Sequence, residues 1–385
     1  LGWQMCKIEV VCQPLIIVPL TQGSRPMAMG TRIKQARLLR GWSQRDLADR
    51  LPVSDTTVSK YEREKTRPDS AMLMEIADAL DVDLSYVLRA PRVASIQPAD
   101  RTLAAMRRTE ENALLERIRD WIERYLEIES ILEIDALDVE WPAGVPRVVA
   151  SMEEVEAAAH DLREAWTLGM DPIENLTERL EDHALRVGSM AAPDAFDACA
   201  FQAQPKTTSS PESVRDRAQV DGGIPVLVVN ADRPGDRQRL GMARELGRLV
   251  LAVRDEVDED DACHRFGRAF LVPKPVFVGD VGTTRRIRLR ELQVLTQTYG
   301  VRMQALIDRM RDLDILRPHP ATQWGQWFRS TDPHTEEPGA PVPRERPQRL
   351  ERMVQRALAE ERISERRAAE LLGRDGDVLP DPALP

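Results

Sequence analysis

Apolar residues recur every three or four positions through most of this chain, and the breaks between those runs divide it into parts. "TRIKQARLLRG" runs from Thr31 to Arg40 and stops at Gly41. Ser43 opens "WSQRDLADRL" as an N-cap, with Gln44 to Asp46 in the first turn, and Ser54 opens "SDTTVSKYEREK" in the same way. "SAMLMEIADAL" and "DLSYVL" then place Leu73, Ile76, Ala77, Leu80, Leu84, Val87 and Leu88 at helical spacing. Four or five short helices are therefore predicted over residues 30–92.

Residues 98–140 read as one long connector helix, with Leu103, Met106, Leu115, Ile118, Trp121, Ile122, Tyr125, Ile128 and Leu132 three or four apart and charge between them. Two readings of that stripe stand side by side: packing on the chain's own body, or a seam between two copies. Residues 150–316 follow as a body. Two helices lie on either side of "GMDP", with Asp171-Pro172 opening the second. "AFDACAF" and "GIPVLVVNAD" are β-rich runs joined by an apolar-poor, mobile loop, and "DRQRLGMARELGRLVLAV" and "ACHRFGRAFLVPKPV" return to helical period.

Residues 317–373 read as a Pro-rich, surface-hugging loop and then a helix pair, whose apolar faces are Leu350, Met353, Val354, Ala357 and Leu358, and Ile363, Ala368, Ala369 and Leu371. "RDGDVLPDPALP", within residues 374–385, is expected to be disordered. The fold class that results is mainly α with a small β-sheet (α+β).

Composition narrows the function classes. The chain has 385 residues, 42% of them hydrophobic and 31% charged. No apolar run reaches the roughly 18 residues of a membrane span. Cys6, Cys12, Cys199 and Cys263 show no C-x-x-C spacing, so neither a disulfide framework nor a zinc knuckle is implied and a reducing cytoplasm is expected. The first residue is Leu1, with Met27 and Met29 as alternative starts, and residues 1–29 are expected to be a disordered leader.

Net charge is −10, yet residues 30–90 hold 11 Lys/Arg against 10 Asp/Glu, a balance of +1 on an acidic remainder. A near-neutral head still binds double-stranded DNA when its positive charges cluster. Two helices joined by a short turn are a helix-turn-helix arrangement. The second helix opens on short polar side chains, Ser54, Asp55, Thr56 and Thr57, followed by Ser59 and Lys60. Such groups reach base edges when a helix N-terminus enters the major groove, and Lys65 and Arg67 just beyond it are placed for phosphates. The alternative reading of this head is a small helical bundle with one polar, exposed helix.

"ARLLRGWSQRDLADRLPVSDTTVSKYEREKTRPD", followed by "EIADALDVDLSYVL", resembles the XRE (lambda-repressor-like) helix-turn-helix family. The resemblance implies that Gln44 contacts phosphate and that Asp55, Thr56, Ser59 and Lys60 read bases. Two departures stand out. Pro52 occupies the family's turn glycine, and Glu64 occupies a glycine position that calls for left-handed backbone, at a cost of about 1 kcal/mol.

The body resembles a second family, the ImmA/IrrE metallopeptidases. The resemblance is carried in order by "LREAWTLGMDPIENLTERLE", "FDACAF", "IPVLVVN", "GDRQRLGMARELGRLVL", "CHRFGRAFLVP" and "ELQVLTQTYGVRMQALIDRMRDLDIL". That family implies H-E-x-x-H on a helix, two zinc-binding histidines flanking a catalytic Glu. Here Arg244 and Arg248 stand in both histidine positions, and Glu245 keeps the Glu position. Asp260 or Asp261 falls near the third-ligand position, and His264 lies close by. His160, His183, His319 and His334 show no ligand spacing.

A guanidinium has no lone pair for a metal, so the reading is a pocket without metal or cofactor and without a catalytic residue, Glu245 being the one an active enzyme would use. Arg244 and Arg248 then have three readings: a clamp to Asp260 and Asp261, a pocket for a small anionic ligand, or two solvent-facing side chains. For the whole chain, the expectation is a homodimeric transcriptional regulator that binds DNA and not a membrane, whose body senses, dimerises or holds a partner protein. A zinc endopeptidase cleaving a repressor and an antitoxin-like autorepressor are the alternatives.

Overall fold

The computed structural model describes residues 29–96, 103–134, 141–205, 223–283, 287–316, 324 and 337–373. The segments expected as a leader (up to residue 28), as a mobile loop (within 206–222) and as a tail from residue 374, and most of the Pro-rich stretch over 317–336 with His319 and His334, lie outside these. The described chain is mainly helical with a small sheet, an α+β fold. No described helix is long and apolar enough to cross a membrane.

Five helices build the head: α1 (Met29–Leu39), α2 (Gln44–Ala48), α3 (Asp55–Glu62), α4 (Ser70–Leu80) and α5 (Leu84–Leu88). They close over Ile33, Leu47, Val58, Ile76, Leu80 and Val87, which combines the helical spacing of each short segment into one core. Glu64 adopts φ 57, the left-handed backbone that its position calls for. Glu64→Gly is expected to raise the head's stability by up to about 1 kcal/mol, read as a higher denaturant midpoint.

The connector is shorter than the sequence suggests. Helix α6 spans Arg108–Ile131, preceded by a separate turn at Leu103 to Met106. Its apolar stripe is spent within the chain. Leu114, Ile118 and Ile122 pack on Phe196, just ahead of β4, and on the sheet residues Phe201, Val226 and Val228. Tyr125, Ile128 and Leu132 pack on the C-terminal helices α14 (Arg349–Ala359) and α15 (Glu365–Leu372). The seam between copies that this stripe suggested is thus replaced by intrachain packing. The charges between the apolar positions are not a solvated face either, because Glu123, Glu127 and Glu129 are all buried. Each meets an arginine from another element: Arg32 in the head, Arg89 with Arg367, and Arg186.

The main sheet runs in the order β1 (Val93–Ser95), β4 (Ala198–Pro205), β5 (Ile224–Asn230), β3 (Arg186–Met190). β4 is antiparallel to β1 and β5, and β3 is parallel to β5. A second, two-stranded parallel sheet joins β2 (Arg147–Val149) to β6 (Leu251–Val253). Periodicity located β4 and β5 but assigned "LRV" to a helix. That segment turns into β3, and the helix before it, α8 (Leu176–Asp182), opens on Asn175 rather than on Asp171-Pro172.

Around the sheets lie α7 (Met152–Ala165), α9 (Gly235–Val250), α10 (Glu259–Leu271), α11 (Lys274–Val281), α12 (Leu289–Tyr299) and α13 (Met303–Asp312). Residues 337–348 form an extended strap over this surface. Gln293 and Gln297 donate to its Pro338 and Ala340 carbonyls. Its carboxylates satisfy exposed helix N-termini: Glu337 accepts from the Met303 and Gln304 N–H groups, and Glu345 from Thr177 N–H at 2.7 Å.

Candidate nucleic-acid interface and arginine pocket

In the head, Ser54 caps α3, its Oγ accepting from Thr57 N–H at 3.3 Å. The same hydroxyl bonds Thr56 Oγ1 at 2.7 Å and Thr57 Oγ1 at 3.0 Å, while Asp55 accepts from Thr56 N–H at 2.6 Å. This pins the first turn of α3 in one arrangement, with Asp55, Thr56 and Lys60 exposed and Thr57 and Ser59 half-buried. Val58 and Glu62 face inward.

Lys65 and Arg67 are exposed just past α3, and so is Arg63, which the sequence reading missed. Gln44 is brought to the same surface, but its side-chain amide donates to Glu62 at 2.7 Å. Glu62 also accepts Arg37 in two bonds of 2.6 and 3.0 Å. That buried fork ties α1 to α3 and fixes where α2 begins against α3. Amphipathic spacing gives no sign of it.

In the body, α9 and α10 meet closely because Gly267 lacks a side chain. A Cβ there would stand 2.9 Å from Arg244 N. The two arginines on α9 then part company. Arg248 crosses to α10, pairing with Asp260 and reaching Glu259 at 3.3 Å. Arg244 stays on its own helix and donates to Glu245 at 3.0 Å. Glu245 is fully buried and accepts from the Ala200 N–H of β4 at 3.2 Å. Burial pushes its carboxyl above the usual 4.5, and Arg244 and Arg248 pull against that rise.

Asp261 is not brought to either arginine. It is exposed, its N–H donating to the Asp258 cap. His264 joins Arg244 in lining a cavity of about 200 Å³, and burial with the charges of Arg244 and Arg268 brings its pKa down to about 4.

These residues do not fit a zinc ion. Neither guanidinium offers a lone pair, Glu245 is occupied by a backbone N–H and two cations, and His264 is one imidazole facing an arginine. Among the described residues, the group whose ligand atoms do approach one another is His160, Asp161 and Glu164 on α7. That corrects the expectation that His160 has no ligand spacing. All three are exposed, and Asp161 pairs with Arg147. His183 stacks on Trp166 with ring centres 4.4 Å apart.

Comparison with known proteins bears on the head. A helix-turn-helix family model matches residues 33–87, a domain of the XRE type. The HTH-type transcriptional regulator ImmR of Bacillus subtilis (strain 168) is 30% identical over 74 residues, which are 19% of this chain and 58% of that protein. The chain thus spans less than two thirds of the relative's length. No solved structure matches.

Proposed function

We propose that this chain is a sequence-specific DNA-binding transcriptional regulator. Its α3 enters the major groove of an operator, and its body, similar to ImmA/IrrE peptidases in sequence pattern but without their metal ligands, is the input half. The observation that carries the reading is the outer surface of α3. Capped polar side chains Asp55, Thr56, Thr57 and Ser59 lie beside Lys60, Lys65 and Arg67 on one face of a helix-turn-helix head. Helix N-terminal residues of this kind meet base edges, and the flanking cations hold phosphates. Gln44, at the start of α2, has a second amide N–H beyond the one given to Glu62, and that donor meets a phosphate.

In this reading two copies bind paired half-sites. With the α6 stripe buried within the chain, the contact between copies falls to α4 and α5, where Met74, Leu84 and Leu88 are exposed apolar residues. A working peptidase is disfavoured by the chemistry of Arg244 and Arg248, and stoichiometric zinc in the purified protein would overturn this half of the proposal.

Genome-wide binding-site mapping followed by salt-dependent titration on the recovered sequence tests the head. Lys60→Ala is expected to weaken binding to every sequence and to reduce the salt slope by about 1, whereas Ser59→Ala costs about 1–3 kcal/mol at one base position and relaxes the preference there. Absence of any enriched sequence, or enrichment that survives loss of α3's outward side chains, sinks the reading.

A further inference from the structure

The cavity beside Arg244 has a composition that neither a core nor a vestigial metal site requires. Arg237, Arg244, Arg268 and Arg302 line it, against the two carboxylates of Asp197 and Asp308. On the wall of this chamber of about 200 Å³ the guanidiniums outnumber the carboxylates four to two, while Glu245, Asp312 and Glu337 pair with Arg244, Arg268 and Arg302 from behind it. The guanidiniums are largely withdrawn from solvent, between 16 and 27% exposed, so their field is screened less than on an open surface.

Each guanidinium has a carboxylate partner, Asp197 on the wall itself and Glu245, Asp312 and Glu337 behind it. Asp197 takes Arg237 at 3.0 Å, Asp312 takes Arg268 at 2.6 Å, and Glu337 takes Arg302 at 3.2 Å. A guanidinium carries five N–H donors, and the contacts described to Arg237 and Arg302 use one each. Donors are left over on converging forks, and the neutral His264 imidazole adds no charge of its own.

We propose that this inner chamber binds a small anion, a phosphate or carboxylate group, held by Arg237, Arg244, Arg268 and Arg302. The two arginines in the histidine positions therefore divide the work: Arg248 braces α9 to α10, and Arg244 faces the ligand. The chamber exceeds the volume of a single water, about 30 Å³, and is smaller than a drug-sized pocket of about 300 Å³ or more, which suits an anionic group of a few heavy atoms. Arg237 and Arg302 also line a second cavity of about 390 Å³ beneath the strap, bounded by Gln293, Gln297 and Thr296. The rest of a larger ligand extends there, where the buried Thr296 hydroxyl has no hydrogen-bond partner among the described residues.

The site gives the input half a signal. Arg302 is tied to Glu337, the first described residue of the strap, and the strap runs into α14 and α15. Arg366 and Arg367 of α15 pair with Asp83 of the head and Glu127 of α6. An anion competing for Arg302 thus acts on the segment that braces the head. This consequence rests on the reading of the chain as a regulator, but the binding site does not.

Calorimetric titration of the full chain with inorganic phosphate, and separately with citrate, at constant ionic strength and with sodium chloride as the control, tests the site without DNA. One saturable event per chain is expected for at least one of the two probes. The stronger probe tells which anion chemistry the chamber prefers. Arg244→Met and Gln304→Glu are each expected to weaken it about tenfold. Gln304 is exposed and lines the chamber, so its replacement adds a negative charge without removing an ion pair, and the melting temperature of each variant without ligand checks that it is folded. No saturable binding of either probe overturns the proposal. So does binding that both variants leave intact, or binding that Lys60→Ala abolishes, which would locate the anion on the DNA-binding head.

Discussion

An Arg32→Ala variant is expected to lose about 3–5 kcal/mol of stability, measured by urea unfolding of the full chain. Arg32 is almost completely buried, with its side chain 2% exposed and that of its partner Glu123 6% exposed. The guanidinium also donates to the Arg89 carbonyl at 3.0 Å, to the Ala90 carbonyl at 3.2 Å and to Gln35 at 3.1 Å. Glu123 accepts from the Arg92 N–H at 3.2 Å, so one ion pair gathers α1, the head's exit and α6. Removing the arginine leaves a carboxylate buried without its cation, and that orphaned charge is the source of the cost. Replacing both partners, Arg32→Leu with Glu123→Leu, is expected to recover part of the loss, because it removes the orphaned charge but leaves the Arg89 and Ala90 carbonyls and the Arg92 N–H without these partners. A loss below about 1 kcal/mol for the single variant would mean that water reaches this junction and that the head is not braced here.

Arg248→Ala carries the second large expectation, about 3–5 kcal/mol at pH 8 and clearly less at pH 5. Glu245 has a folded pKa raised above its usual 4.5 by burial. A carboxyl raised in the folded state is fully compatible with folding below the unfolded value, and stability is lost as pH climbs from there through the folded value. Arg248 opposes this rise, so its removal widens the pH range over which stability is lost. Toward pH 5 a larger share of the folded variant holds Glu245 protonated, and the penalty shrinks. At pH 8 an ionised carboxylate must be buried with Arg244 as its remaining cation. Cys263, pushed up to about 12, and His264, drawn down to about 4, do not titrate between these two conditions, so they do not confuse the comparison. Thermal unfolding at both pH values checks this, and equal losses would show that Arg248 acts on Asp260 and Glu259 and not on Glu245.

Much of the head was legible in the sequence. Ser43 and Ser54 cap the helices they were expected to cap, because a hydroxyl one residue ahead of an amphipathic run acts through bonds two or three residues away. Glu64 was identified as a left-handed position because it stands where the family that the head resembles has a glycine. The body was legible only in part. "IPVLVVN" announced β5 by its apolar run rich in β-branched residues, whereas "RVGSM" followed a helix without a break that composition could mark.

The pocket was half legible. Arg244 and Arg248 were found by their spacing, and spacing put them on one helix face. It could not tell that Arg248 reaches Asp260 while Arg244 turns toward Arg237, Arg268 and Arg302, which lie on three different helices or their caps.

The sequence alone determined the helical segments, their caps, the outward polar surface of α3 and the chemical unfitness of two arginines as metal ligands. All of these depend on a side chain and its near neighbours along the chain. Only the tertiary structure decided that Glu123, Glu127 and Glu129 point inward to arginines, and that the connector's stripe is covered by the sheet and the C-terminal helices. It alone decided that four separated arginines enclose one chamber. Coulomb energy and burial depend on distances between residues far apart in the sequence, and a one-dimensional pattern holds no such distances.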